Sequence, residues 1–354
     1  MSVDTPLVSV IVPCYNAGRW VRHAVNSALH QTHPNIEVIV VDDGSTDDSL
    51  AVLAEFGDRI DVTTIPNGGA CHARNVALGR AHGEFIQFLD ADNVLMPTKI
   101  ERSLEKFRAE PGLDLVFTAL HYPDEYEFTH EPEFPEDELK RSVEGMNDWV
   151  YSLVLPGTGV PSLETSQPLY RRSTLDRFGT WDENLRCMED IELSARHALA
   201  GAKAAPLEMI GVIYRNHPGE RATQQMRFDN EQYFISVLKM LEVARTHDRM
   251  DGAIEEFAVN FLVWIAARVC IAEHRYGKAR TYLALARDIR PELPGPLPFR
   301  LLARTIGAFP ALVGVQVALT LNRRVFRIPL ESAENLEATT RMSDLLRPLR
   351  GGRG

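Results

Sequence analysis

The chain has 354 residues, 45% of them hydrophobic, which is enough for a substantial core and two domains. Its formal net charge is −11, and the first three hundred residues hold no long basic run. Nucleic acid is thereby disfavoured as a partner, because neutralising phosphates takes clustered Lys and Arg. Four scattered cysteines (Cys14, Cys71, Cys187, Cys270) contain no C-x-x-C pair, which argues against a zinc site and against a disulfide framework.

The opening, MSVDTPLVSVIVP, lacks a basic leader, and its apolar stretch is interrupted by Ser9. It reads as a strand over 7–12 rather than a signal peptide, with the cytosol as the expected compartment. Helical spacing follows from Trp20 to Leu29. IEVIVVDDGS (36–45) is a second strand, ending in Asp42 and Asp43. The helix after it opens at STDDS, where Ser45 and Asp48 match a capping box. A third strand at 60–66, a turn at Asn67-Gly68-Gly69 and a helix over 70–81 lead to a fourth strand, FIQF, ending in Asp90-Ala91-Asp92-Asn93. This alternation predicts an α/β fold, a mostly parallel sheet flanked by crossover helices. In such sheets ligands bind outside the carboxyl ends of the strands, where both carboxylate pairs fall.

Farther on, the acidic segment 124–138 carries prolines and no Lys or Arg, and suits a solvated surface loop or a flap over an acceptor site. From about Phe228 the pattern turns helical, setting a domain boundary at 225/226 and a helical C-terminal region over 226–354. Residues 305–322 carry no charge and lie between arginines. A packed helix is the first expectation there, with an interfacial helix or a membrane span as alternatives. The arginines beyond could touch anionic headgroups.

Charges at the end of a buried strand need a partner. In extended backbone Asp90 and Asp92 face one side and can converge on a cation, while Ala91 faces away. So few hard oxygen ligands suit Mg²⁺ or Mn²⁺ shared with a ligand's phosphates. VVDDGSTDDS lacks the Gly and Glu of a calcium loop, and the chain has neither a Walker loop nor a dinucleotide fingerprint. Asp42 and Asp43 are left with turn-forming duty or with hydrogen bonds to a base or ribose. Arg74, one turn into the helix behind Gly68-Gly69, could reach a base or a phosphate.

Taken together, VSVIVPCYNAGRWVRHAVNSALHQTHPNIEVIVVDDGSTDDS, then NGGACHARN, then AHGEFIQFLDADN, then LYRRSTLDRFGTWDENLRCMEDIELSARHALAG, resemble the family 2 glycosyltransferases of the GT-A (Rossmann-like) fold, in the family's order. Two positions depart from its pattern: Asn93 stands where a third acid often follows, and Trp181 where Phe usually precedes Asp-Glu.

The resemblance implies an inverting, metal-dependent transferase that moves a sugar from a nucleoside-diphosphate sugar, UDP-linked by default, to an acceptor hydroxyl. It places Pro13, Tyr15, Asp43 and Arg74 around the nucleotide. Asp90 and Asp92 would hold Mg²⁺ or Mn²⁺ on the diphosphate, and Asp190 would be the general base. Glu189 would orient the site and Arg196 brace its helix. Arg215 and His217 match the family's Arg-x-His, with His217 reaching the metal or diphosphate; Arg221 has less support. A glycan or lipid-linked acceptor and a role in cell-surface polysaccharide or glycolipid assembly follow from the same likeness. The helical C-terminal region would serve acceptor binding, oligomerisation or the inner face of the membrane. The rival expectation is a catalytically silent sugar-nucleotide binder or scaffold.

Overall fold

The structure, a computed structural model, describes residues 5–121, 163–186, 188–215, 230–248 and 276–289, with isolated positions at 255, 259 and 262. The acidic segment 124–138, the stretch 305–322, the arginine-rich tail, His217 and Arg221 lie outside them. The chain divides into two compact units, Met1–Phe257 and Ala258–Gly354. The second contributes helix α8 (Tyr276–Ile289), in which Tyr282, Leu283, Leu285 and Ala286 are buried. No described helix is long and apolar enough to cross a membrane.

In the first unit the strands are β1 (Val8–Cys14), β2 (Ile36–Asp42), β3 (Asp61–Thr64), β4 (Phe85–Phe88), β5 (Val94–Leu95), β6 (Leu115–His121), β7 (Pro168–Arg171) and β8 (Ala204–Ile213). They form one sheet in the order β3-β2-β1-β4-β7-β6-β8-β5. The first four strands pair in parallel, as the alternating pattern predicts. Beyond them the sheet is mixed, because β7 runs antiparallel to both β4 and β6.

Both faces of the sheet are covered, which is why β1 and β2 are apolar at nearly every position. Val8, Val10 and Val12 of β1 and Val38 and Val40 of β2 pack beneath α1 (Gly18–Leu29), whose Val21, Ala24, Val25 and Ala28 recur at helical spacing. Ile11, Ile39 and Val41 face the other way. They meet Cys71, Ala73 and Ala77 of α3 (Ala70–Arg80) and Leu193 of α6 (Glu189–Leu199). Full burial of one such aliphatic side chain contributes about 1.5–3 kcal/mol. α4 (Lys99–Ala109) carries Ile100, Leu104 and Phe107 into the first layer, while α5 (Arg172–Phe178) follows β7 directly. α7 (Asn230–Thr246) packs on α6, and its Lys239 pairs with Asp182.

The capping box expected at Ser45 and Asp48 does not form. α2 (Ser49–Ala54) begins at Ser49, and the Asp48 side chain makes no cap bond. Asp47 Oδ1 instead accepts the Ser49 N–H at 3.0 Å. The reason lies in the neighbouring loop, since α1 has no side-chain cap of its own. Its first amides reach across the sheet edge: Asn16 N donates to Ser45 Oγ, Ala17 N to Ser49 Oγ and Gly18 N to Asp47 Oδ2, at 2.9–3.0 Å. Asn16 takes a left-handed φ of 47° and accepts the Thr46 N–H at 2.8 Å. The loops after β1 and β2 are thus clasped into one rim.

His197, on α6, is completely buried, and its Nε2 donates to the Gly179 carbonyl at 2.8 Å. Its Nδ1 has no partner among the described residues, so the ring is neutral, and burial pushes its pKa down to about 4. The unfolded chain binds that proton below about pH 6.5. Stability from this group is therefore full above that pH and is lost as pH falls towards 4. Relative to a His197→Gln variant, whose comparison cancels other titrations, the wild type should lose about 2 kcal/mol between pH 7.5 and 5 in urea unfolding.

Candidate active site

The carboxyl ends of β1, β2 and β4 lie side by side, Cys14 level with Asp42 and Ile11 with Phe88. Pro13 is half-buried at the end of β1 and Tyr15, just past it, is 51% exposed on the rim. Asp43 is buried behind them. Its two oxygens accept the N–H groups of Gly68 and Gly69 at 2.7 and 2.8 Å, and Asn67 Nδ2 donates to its carbonyl. Asp43 thus folds the glycine turn that starts α3, keeping a free lone-pair direction on each oxygen. Gly69 has φ +91°, a conformation that L side chains rarely adopt, which explains glycine there.

That turn aims Arg74 inward. Its side chain is only 4% exposed, and Nη2 donates to Asp90 Oδ1 at 2.8 Å while Nη1 lies 3.4 Å from Glu189 Oε1. The guanidinium carbon sits 4.4 Å from the Trp181 ring centroid, and the Trp181 ring meets Phe88 edge-on. The Trp that departs from the family's usual Phe therefore covers Arg74 with the larger π-face. Arg74 Nε is buried and has no acceptor among the described residues. The protein itself thus supplies a partner for the strand-end carboxylate, in the residue that the sequence placed beside a base or phosphate.

Asp90 and Asp92 do not stand on extended backbone, as the sequence pattern implied. β4 ends at Phe88, and Asn93 N donates to the Asp90 carbonyl at 3.0 Å, so the motif is a tight turn. Asn93 is buried and pins that turn. Its Nδ2 donates to Ser166 Oγ and Glu164 Oε1, and its Oδ1 accepts the Arg215 N–H. Arg215 also reaches His23 Nδ1 at 3.0 Å and the Asp92 carbonyl at 3.4 Å, with its guanidinium over Trp20.

Glu189 and Asp190 open α6 after Met188, which has a left-handed φ of 61°. Asp190 Oδ1 accepts the Ile191 N–H at 2.8 Å. Burial and then the Glu189 carboxylate raise the Asp190 pKa to about 7, against the pull of Ile191 N–H and Arg74. Arg196 grips Glu192 bidentately and donates to the Phe178 and Thr180 carbonyls, fixing α6 to the segment that holds Trp181.

One carboxyl group escaped the sequence analysis. Glu164 precedes β7 in SLETSQPLY, where nothing but a Glu beside a short polar run marks it. In the fold it lies between the others: its carboxyl hydrogen-bonds Asp90 and feels the charges of Asp90 and Asp190. Burial raises its pKa well above the carboxylate range, and Asp90 is raised by the same cause. The structure thus brings Arg74, Asp90, Asp92, Glu189 and Asp190 into one cluster. It places Pro13, Tyr15 and Asp43 along the adjoining rim.

Among the described residues no group of three or more His, Cys, Asp and Glu is arranged to hold a metal alone. The oxygen-only pair Asp90 and Asp92 fits a divalent ion in one way, shared with a ligand's phosphates.

Asp43→Ala would leave the Gly68 and Gly69 amides without their charged acceptor. It should lower stability by roughly 3 kcal/mol in urea titration, the scale of hydrogen bonds to an ionised group.

Comparison with known proteins yields a family match over part of the chain. The sequence profile described as Glycosyl transferase family 2 matches residues 9–177. TuaG of Bacillus subtilis, named for teichuronic acid biosynthesis, is 44% identical over 117 residues, 32% of this chain and 46% of that protein. Matches to the first three curated relatives span 36%, 58% and 46% of their lengths. Among solved structures, S. aureus TarS 1-349 in complex with UDP covers 93% of this chain and 95% of its own at TM-score 0.64 and 18% identity. The mannosyltransferase PcManGT from Pyrobaculum calidifontis, in complex with GDP-Man and Mn²⁺, covers 91% and 89% at TM-score 0.51, also 18% identical. Both likenesses are of fold. Residues 9–177, just under half of the chain, are thus similar in sequence to glycosyl transferase family 2.

Proposed function

We propose that this chain transfers a sugar from a nucleoside-diphosphate sugar to a glycan hydroxyl, with inversion at the anomeric carbon. The observation that carries the reading is one cluster at the strand ends, where Asp90 and Asp92 on a pinned turn face the Asp190 helix start across Arg74. TarS with UDP and PcManGT with GDP-Man and Mn²⁺ share the fold, which supports a nucleotide-sugar donor here. The naming of TuaG for teichuronic acid biosynthesis supports a glycan acceptor.

In this reading the base stacks near Tyr15 and Pro13 on the clasped rim, with Asp43 beneath it. Asp90 and Asp92 would hold Mg²⁺ or Mn²⁺ together with the donor's diphosphate. When bound, such an ion supplies positive charge where the leaving diphosphate gathers negative charge. Arg74 holds the Asp90 carboxylate in place and offers Nε–H as a further donor. Asp190 takes the proton from the acceptor hydroxyl as it attacks, and a carboxyl with a pKa near 7 is well matched to that task. Glu189 keeps Arg74 aligned from the other side. His217 would close on the diphosphate, and a membrane-surface or oligomeric role for the C-terminal region remains part of the proposal.

Two measurements test this. In a thermal-shift panel of nucleoside diphosphates with and without Mn²⁺, one nucleotide should stabilise the protein by several degrees, and chelator should abolish the shift. Asp190→Asn should keep that shift while donor turnover falls about 10²–10⁴-fold, the usual contribution of a positioned base. Turnover equal to wild type would remove Asp190 from this role.

A further inference from the structure

Beneath the candidate site lies a buried cation that the proposed reaction does not use. Lys99, at the start of α4, is wholly inaccessible to solvent. Among the described residues no carboxylate is within ion-pair distance of it, and its Nζ donates to a single acceptor, Gln87 Oε1. Burying an ammonium without an adjacent counter-ion costs stability, so packing alone would favour Met or Leu at this position. Desolvation accordingly pushes the Lys99 pKa down to about 7, opposed by the charge of Glu164.

The hydrogen bonds beyond Gln87 lead to the site. Gln87, also fully buried, stands in the middle of β4 among Phe85, Ile86 and Phe88. Lys99 fixes its amide orientation, so that Nε2 donates to the Ser166 carbonyl at 2.9 Å. Ser166 N donates to Glu164 Oε2 at 2.9 Å, and Ser166 Oγ accepts the Asp90 amide at 3.3 Å. Asn93 Nδ2 closes the web on Ser166 Oγ and Glu164 Oε1, at 3.1 and 3.2 Å.

We propose that Lys99 is a positioning residue of the donor site: acting through Gln87 and Ser166, its ammonium locks the turn after β4 to the segment before β7 and sets Asp90 and Glu164 at their mutual distance. The proposal rests on the function proposed above and deepens it. A buried amide can flip end for end. With Lys99 present, only one orientation of Gln87 satisfies both the ammonium and the Ser166 carbonyl. Without it Oε1 is left as a buried acceptor without its donor, the amide is held only by its Nε2 bonds to the Ser166 and Phe88 carbonyls, and the two segments that carry the carboxyl groups are less firmly fixed. Reacting groups displaced by about 1 Å lose up to 10²-fold in rate.

The test uses the full chain, with UDP-N-acetylglucosamine and GDP-mannose as donors and nucleotide release as the readout, for wild type, Lys99→Met and Lys99→Met/Gln87→Leu. The double variant removes both ends of the Lys99–Gln87 contact but leaves the Ser166 and Phe88 carbonyls without the amide donor, and should melt within about 10 °C of wild type. Its turnover should fall at least tenfold, with a raised Mn²⁺ requirement and nucleotide affinity at saturating Mn²⁺ within threefold. Turnover within twofold of wild type would overturn the inference. So would a melting temperature more than about 10 °C lower in both variants, which would make the lysine a structural element only. Failure of the underlying reading shows separately, as a wild type that neither binds nor turns over either donor, and the inference falls with it.

Discussion

A buried guanidinium joins the two halves of this domain. Arg74 rises from the helix after β3, yet its partners belong to the end of β4 and the beginning of α6. A charge so buried is tolerable only with opposite charge in direct contact, and here the contact is supplied on two sides with an aromatic face on a third. Removing either carboxylate would strand the guanidinium, so the turn after β4 and the start of α6 are held to one geometry. The parallel half of the sheet and the antiparallel insertion around β7 meet at this point.

The electrostatics follow from that arrangement. Five carboxyl groups gather around one arginine, and burial forces several of them towards the protonated state. Such a cluster is at its least favourable when nothing positive enters. A ligand that brings a divalent ion meets charge already oriented for it, whereas an anion alone meets repulsion. In the proposed reaction, such a cluster would favour a metal-bearing diphosphate over a bare one.

Much of this was legible in the chain. The β-branched runs of β1 and β2, buried on both faces, announce a covered parallel sheet, and Gly68-Gly69 marks the turn that aims Arg74. The acidic motifs fall in the cluster that the fold gathers around Arg74. Three things were hidden because they depend on distant partners. The cap of α1 is borrowed from Asp47 and Ser49, so the local Ser45/Asp48 pattern misleads. Asp90 and Asp92 occupy a turn, because β4 stops short at Phe88 once Asn93 finds Ser166 and Glu164. Glu164 itself has no neighbours in sequence that mark it, and it gains meaning when β7 brings it beside Asp90.

The clasp between the first two loops has a kinetic corollary. Its partners lie 29 to 32 residues apart, a short separation for a tertiary contact. Modest loop closure lets β1, α1, β2 and the start of α2 assemble as a nucleus without waiting for the β7 insertion or the helices that follow. The clasped rim then belongs to the earliest-forming part of the molecule, whereas the Arg74 cluster must await chain more than a hundred residues downstream.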